Sequence, residues 1–297
     1  MVEMLARLGL SDWVLIDDDI VEMSNLNRLP GSTQRDVYHG TLKVNLAHRN
    51  IIRANLYAKV RCLPVPVSDP EAFQTMKSCD LLIVATDNHS SRLIANRLSV
   101  QYLIPLIHIG VNIDVGEDRK ITDMSGEYVV PSLGKWCLQC AGIIDSQMAG
   151  WELADKDMRN TLRERGYIKD TPAPAVYHLN GIIASLAVSE IHNLIFPYKP
   201  QRRYLSHDVL KGELLSLDTL SKEDCPLCNA EMGILGIGDI EPLPNYSDRE
   251  QAIPYADQYG DEVPEAQNLH DGGENPSESD SYPIHSSDEV NYDHEDA

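Results

Sequence analysis

Trp13-Val14-Leu15-Ile16-Asp17-Asp18-Asp19-Ile20-Val21-Glu22-Met23-Ser24-Asn25-Leu26-Asn27-Arg28 is the stretch on which the reading of this 297-residue chain turns. Four apolar residues that run into three carboxylates read as a short strand buried on both faces, the kind found in a parallel sheet covered by helices. Before it, Met1, Met4, Leu5 and Leu8 fall at helical spacing and Gly9 follows as a C′ residue. After it, Thr41 to Ala54 reads as a helix, Ala58 to Leu63 as a strand and Leu81 to Ala85 as a second apolar strand. A helix from about Asn88 to Tyr102 and a strand from Pro105 to Val111 complete the run. Strand and helix in close alternation predict an α/β fold with a doubly wound, mostly parallel sheet. In such sheets the functional groups collect at the carboxyl ends of the strands.

The later half breaks that rhythm. Ile121 to Val130 alternates as an antiparallel hairpin strand does, Trp151 to Arg165 is a polar, charged helix or lid, and Val176 to Ile195 is a long apolar helix. Tyr204 to Asp208 and Glu213 to Asp218 read as two late strands, so the sheet should carry an antiparallel extension. Charge is also unevenly placed. The formal net charge is −21, and the 59 residues from Asp239 to Ala297 hold 17 acids against the single base Arg249, which leaves −16 there and −5 on the rest. The stretch after about Pro244 has too few aliphatic residues to offset ordering entropy and reads as disordered. The expected organisation is a folded body over 1–240 and an acidic tail over 241–297. This balance disfavours nucleic acid, and no apolar run approaches the roughly 18 to 20 residues of a membrane span. A cytoplasmic setting is the expectation.

Four of the six cysteines form two pairs, Cys137-Leu138-Gln139-Cys140 and Cys225-Pro226-Leu227-Cys228. Each two-residue spacer lets both thiolates of a turn reach one metal at about 2.3 Å, so the pairs together predict a tetrahedral zinc site with four cysteine ligands. The long gap between them makes the metal a clip across the fold. Cys62 and Cys79 stand alone and read as small buried hydrophobes, as His108 reads as a core residue of its strand.

Asp17, at the end of the Trp13 to Ile16 strand, with Asp19 just beyond it, is placed to accept hydrogen bonds from ribose hydroxyls. Asn25 and Arg28 supply donors, Arg28 with a planar fork suited to phosphate oxygens, and Lys43 adds a point charge at the next helix. Thr86-Asp87-Asn88 puts a carboxylate at the end of the following strand, a hard ligand of the kind Mg²⁺ takes; Asp87 could equally cap the helix that starts there. Arg92, one turn into that helix, reads as a structural ion-pair partner.

Taken in order, Asp-x-Asp, Ser-Asn-Leu-Asn-Arg, a helix-opening lysine, Thr-Asp-Asn and two C-x-x-C pairs resemble the ThiF/MoeB/HesA family, relatives of ubiquitin-activating enzymes. A Pro-rich turn at Pro172 to Ala175 leading into an apolar helix adds to the likeness, which runs from about residue 1 to 230. The resemblance implies a Rossmann-like fold and an ATP- and Mg²⁺-dependent adenylyltransferase with a structural Zn²⁺, in which the C-terminal carboxylate of a ubiquitin-like or sulfur-carrier protein ending in Gly-Gly becomes an acyl-adenylate. Asp17 would hold the nucleotide ribose, with Asp19 beside it in the nucleotide-binding set, Asn25, Arg28 and Lys43 would contact the phosphates, and Asp87 would lie near Mg²⁺ and the reacting phosphate. A homodimer is common in that family.

Two departures qualify the match. The family opens with a strand and a G-x-G-G-x-G turn that cradles phosphates, whereas Met1 to Gly9 resembles only the helix that follows. The expectation is a fragment whose start lies upstream, the alternative a degenerate relative that serves as an inactive partner subunit. Gly233, Gly236 and Gly238 form the remaining glycine cluster and read as a flexible exit into the tail. Secondly, Ala141 to Val176 lacks a cysteine, which predicts adenylation without an enzyme thioester. A nicotinamide-dependent dehydrogenase is disfavoured, because no glycine fingerprint precedes the acidic residues.

Overall fold

The computed structural model describes residues 1–165, 174–217 and 224–242. The expected disordered tail, the start of the Pro172 turn and the end of the last predicted strand lie outside the described residues.

Helix α1 (Val2–Arg7) leads to β1 (Asp12–Ile16), and a single 3₁₀ turn (Met23–Asn25) and a short α2 (Gln34–Tyr38) then lead to α3 (Lys43–Ala54). Strand β2 (Lys59–Leu63), α4 (Pro70–Met76), β3 (Leu82–Val84), α5 (His89–Tyr102) and β4 (Leu106–Val115) follow. The crossovers through α3 and α5 give the two parallel pairings, Asp12 with Lys59 through Ile16 with Leu63, and Leu82 with Leu106 through Val84 with His108. A crossover connection is what parallel neighbours require.

β5 (Ile121–Val129), β6 (Tyr204–Asp208) and β7 (Glu213–Ser216) add to β4 in antiparallel order. β4 and β5 form one hairpin and β6 and β7 another, while a long connection that carries helices joins β5 to β6. Among the described residues the strands therefore form two sheets, β1-β2 and β3-β4-β5-β6-β7, and no ladder joins β1 to β3. The expected antiparallel extension is present, but the expectation of one mostly parallel sheet is corrected: helical crossovers give only two parallel pairings, and three of the four pairings in the five-stranded sheet are antiparallel. A common core still spans both sheets. Ile16 of β1 packs on the cluster that holds Leu82, Val84, Leu98 and Leu106, and Trp13 packs beside Leu5, Ile107 and Ile191.

β4 runs four residues beyond its expected end, because its alternation continues opposite β5 as far as the turn at Gly116 to Lys120. The expected single helix over Trp151 to Arg165 is two, α6 (Ser146–Glu152) and α7 (Lys156–Glu164). Asp145 accepts from the Gln147 and Met148 amides and Asp155 from the Met158 amide, so each carboxylate starts its own helix. The long apolar segment forms α8 (Tyr177–Ile195), which buries Leu179, Ile183, Ala187 and Ile191 against the second sheet. Gly126 on β5 is required there, since a Cβ would lie 2.5 Å from Ile183 Cγ1. Among the described residues no helix is long and apolar enough to cross a membrane.

Candidate active site and cysteine cluster

The carboxyl end of β1 opens into the acidic loop, and local hydrogen bonds fix its shape. Asp17 Oδ1 accepts from the Asp19 amide at 2.9 Å, closing an Asx turn. Asp19 then binds the start of α3 twice: its carbonyl accepts from the Lys43 amide at 2.8 Å and its carboxylate meets Lys43 Nζ at 2.5 Å. Lys43 carries the clearest electrostatic signature of the site. Burial disfavours its ammonium, but the bond to Asp19 and the charges of Asp17, Asp19 and Asp87 outweigh burial and hold its pKa above the usual lysine value. Burial is also the main cause that raises Asp17, opposed by the Asp19 amide and by Lys43. The field of Asp87 on Lys43 means that two motifs distant in sequence, one after β1 and one after β3, meet at one edge.

Asn25 and Arg28 face another way. Asn25 is buried, its amide oxygen accepting from the Glu22 amide at 3.1 Å as part of the box that starts the 3₁₀ turn. Arg28 Nη1 donates to the Ser24 carbonyl at 2.5 Å and to Asn27 Oδ1 at 3.4 Å. In this arrangement both side chains hold the Ser-Asn-Leu-Asn-Arg turn together.

Asp87 is exposed, and Asn88 takes the capping role, its Oδ1 accepting from the Ser91 amide at 2.8 Å. The capping alternative for Asp87 is thereby answered by its neighbour. Arg92 is not an ion-pair partner as expected: its guanidinium donates to the carbonyls of Thr86, at 3.1 and 3.2 Å, and of Ile143 at 3.5 Å. Its burial disfavours the cation, against which Asp87, Glu127 and Glu152 act. Glu152 of α6 is a site residue that sequence reasoning missed. It accepts from the His89 and Ser90 amides at 3.3 and 2.6 Å, satisfying first-turn donors of α5 from another helix. The only sequence signal for it is an acid near a helix end, which many residues share.

The four paired cysteines come together as expected. Their sulfurs all lie within 4.8 Å of one another, with Cys137 to Cys140 and Cys137 to Cys225 at 3.9 Å and Cys140 to Cys228 at 3.5 Å, and all four are buried thiols. Tetrahedral zinc with bonds of about 2.3 Å needs sulfurs about 3.8 Å apart, so the donor set fits such an ion. Burial pushes the Cys137 thiol up to about 11, and a cation is what would favour its thiolate. The cluster is tied to α5 on both sides. The Leu138 amide donates to Asn96 Oδ1 at 3.0 Å, and the Gly236 amide donates to the Val100 carbonyl at 3.0 Å. The residues around Gly233 are thus a tight knot in place of the expected flexible exit, because a Cβ at Gly233 would lie 2.5 Å from the Asn229 carbonyl oxygen. Cys62 and Cys79 each face a carbonyl at 3.6 Å, and burial raises both thiols, but both are half-buried and not the fully buried residues expected; Cys79 packs at the edge of the core.

Comparison with known proteins adds to this geometry. The adenylyltransferase and sulfurtransferase UBA4 of Eremothecium gossypii is 33% identical over 99 residues, covering 33% of this chain and 22% of that protein. The sulfur carrier protein ThiS adenylyltransferase of Bacillus subtilis is 32% identical over 106 residues, covering 36% and 32%. The SAMP-activating enzyme E1 of Haloferax volcanii is 30% identical over 107 residues, covering 36% and 39%. The matched part is in each case well under half of the relative's own length. Among solved structures, E. coli MccB crystallised with ATP shares the fold, with a TM-score of 0.57 and 18% identity over 77% of this chain and 62% of that one. The model of the ThiF family matches residues 1–229, from the first helix through both cysteine pairs, and the chain belongs to the ThiF family.

Proposed function

We propose that the chain contributes the nucleotide site of an ATP-dependent adenylyltransferase that activates the C-terminal carboxylate of a ubiquitin-like or sulfur-carrier protein. The carboxylate attacks the α-phosphorus of ATP, an acyl-adenylate forms and pyrophosphate leaves. The observation that carries this reading is the Lys43–Asp19 ion pair at the carboxyl end of β1, which sets an ammonium against the acidic loop at the edge where a nucleotide's ribose and phosphates would be met. The relatives' adenylyltransferase names support the reaction class.

Two anions must meet in such a reaction, and charge neutralisation with fixed geometry is most of what a protein can supply. Asp17 and Asp19 would accept from the ribose hydroxyls. Lys43 would turn from Asp19 toward the phosphates, and Arg28 would do so on leaving the Ser24 carbonyl. Asp87, exposed and free of the capping role, would hold Mg²⁺, which supplies positive charge at the phosphates when bound. The four-cysteine cluster would hold zinc as a structural clip, distant in role from the reaction.

Exchange of labelled pyrophosphate into ATP, in the presence of a sulfur-carrier protein ending in Gly-Gly, tests the proposal. Exchange lost in Asp87→Ala and retained in a Cys62→Ala, Cys79→Ala double variant is expected. The break between β1 and β3 favours a second reading, an inactive subunit that lends its surface to an active relative. ATP binding together with pyrophosphate exchange by the chain supports the first reading over the second.

A further inference from the structure

The segment that joins β1 to α3, together with α3, lines a pocket of about 330 Å³ that shares no residue with the proposed nucleotide set. Arg35 from α2 and Arg49 and Arg53 from α3 line it, with His39, Thr33 and Thr41. One lining residue, Asp36, carries negative charge, and its carboxylate is already saturated. Its Oδ2 accepts from the Thr33 amide at 2.8 Å, the Thr33 hydroxyl at 2.7 Å and Arg49 Nη2 at 2.9 Å, and its Oδ1 accepts from Arg49 Nη1 at 2.8 Å. The charge of Asp36 is thus already matched by Arg49, and neither Arg35 nor Arg53 bonds to it among the described residues.

Three guanidinium charges against one carboxylate leave the lining cationic on a body that is acidic overall. Arg49 is pinned by Asp36 and by the Gly31 carbonyl at 2.9 Å, while its buried Nε has no partner. Arg35 and Arg53 pair with no carboxylate among the described residues. Unpaired arginines beside a fixed one, at the mouth of a concave polar pocket, are suited to an oxyanion with several acceptor oxygens.

We infer that this pocket binds a phosphate-class anion, free or carried on a small molecule, with Arg35 and Arg53 as its principal ligands and the Arg49–Asp36 pair as the rigid wall that positions them. The volume is at the lower end of small-molecule sites, which suits one or two phosphoryl groups.

Calorimetric titration of the full chain with inorganic phosphate and with pyrophosphate, at low salt, tests it. Saturable binding that weakens about tenfold or more in an Arg35→Gln, Arg53→Gln double variant is expected, because both guanidinium forks that would meet the anion lose their charge. Both arginines are exposed, so the double variant is expected to keep the wild-type circular dichroism and melting curve; should it not, Arg53→Gln alone carries the same expectation at a smaller factor. Equal affinity in the variants, loss of binding on Lys43→Met with retention in the double variant, no binding by the native chain, or succinate binding as tightly as phosphate would each overturn the assignment.

Discussion

The acidic edge and the cysteine cluster solve opposite problems in one molecule. Around Asp17, Asp19, Lys43 and Asp87 the chemistry lies at strand ends, partly exposed, and is held by a few bonds within the loop. Around Cys137, Cys140, Cys225 and Cys228 it is buried and braced against α5 from both sides of the sequence. The contrast teaches that the first region should change function with little cost in stability, and the second should do the reverse. A group that must meet a ligand cannot also be consumed by the core, whereas a metal clip works only where the chain is closed around it.

Breaking the proposed zinc clip should have the largest effect. Cys137→Ser, or removal of metal by a chelator, is expected to destabilise by about 3 kcal/mol or more, since metal affinity is folding free energy; at this size that lowers the melting temperature by roughly 10 °C. Metal analysis of the purified chain should find one zinc per chain, and its loss in Cys137→Ser checks the same point.

Next in size are two core truncations that ask whether the sheets are one cooperative unit. Ile51 in α3 and Leu98 in α5 are both fully buried, and Ala at either should cost about 2–5 kcal/mol. If the core shared by Ile16 and Val84 couples the sheets, urea unfolding of Ile51→Ala stays a single transition. A separate early transition would show that the β1-β2 unit unfolds alone.

Acid sharpens the comparison further. Burial, and secondarily Arg92, lowers the His108 pKa to about 3. Because the unfolded chain takes up a proton at about pH 6.5 and the folded chain does not, the native state is favoured above that pH and loses stability as pH falls toward 3. From pH 7 to pH 5 this single group should cost about 2 kcal/mol. Denaturation measured at both pH values should show that slope, and His108→Gln should flatten it. The buried Asp36, held well below the usual carboxylate range chiefly by Arg49, adds acid sensitivity only at lower pH, where its carboxylate protonates.

The smallest stability effect belongs to the edge itself. Lys43→Met removes an ion pair whose acid is mostly exposed and should change stability by less than about 1 kcal/mol. ATP binding, in contrast, should fall sharply. A melting curve and a nucleotide titration on the same variant check both halves of the statement.

Much of this was legible from spacing. The β1 strand, α5, the hairpin and the apolar α8 follow from periodicity, and the cysteine tetrad follows from two matched C-x-x-C pairs, because those signals are local or repeat a fixed ligand geometry. The Thr33 to Asp36 capping box could also have been read from its three-residue spacing. Arg49 is another matter: it reaches back thirteen residues to Asp36 across a turn, and nothing local marks that partner. Glu152 on the first turn of α5, and Arg92 turned to carbonyls in place of carboxylates, were equally hidden, since each depends on which helix lands where.

The sequence by itself determined the order of the strands and the longer helices, though not α2 or α4, the acidic and Thr-Asp-Asn motifs at strand ends and the identity of the candidate metal ligands, all of which follow from side-chain period and short spacers. Only the tertiary structure decided that Asp87 lies in the field of Lys43, that Asn25 and Arg28 brace their own turn, and that the strands fall into two sheets over one core. Those outcomes are set by packing between segments distant along the chain, where the balance of burial, hydrogen bonding and charge is struck by neighbours that no local pattern names.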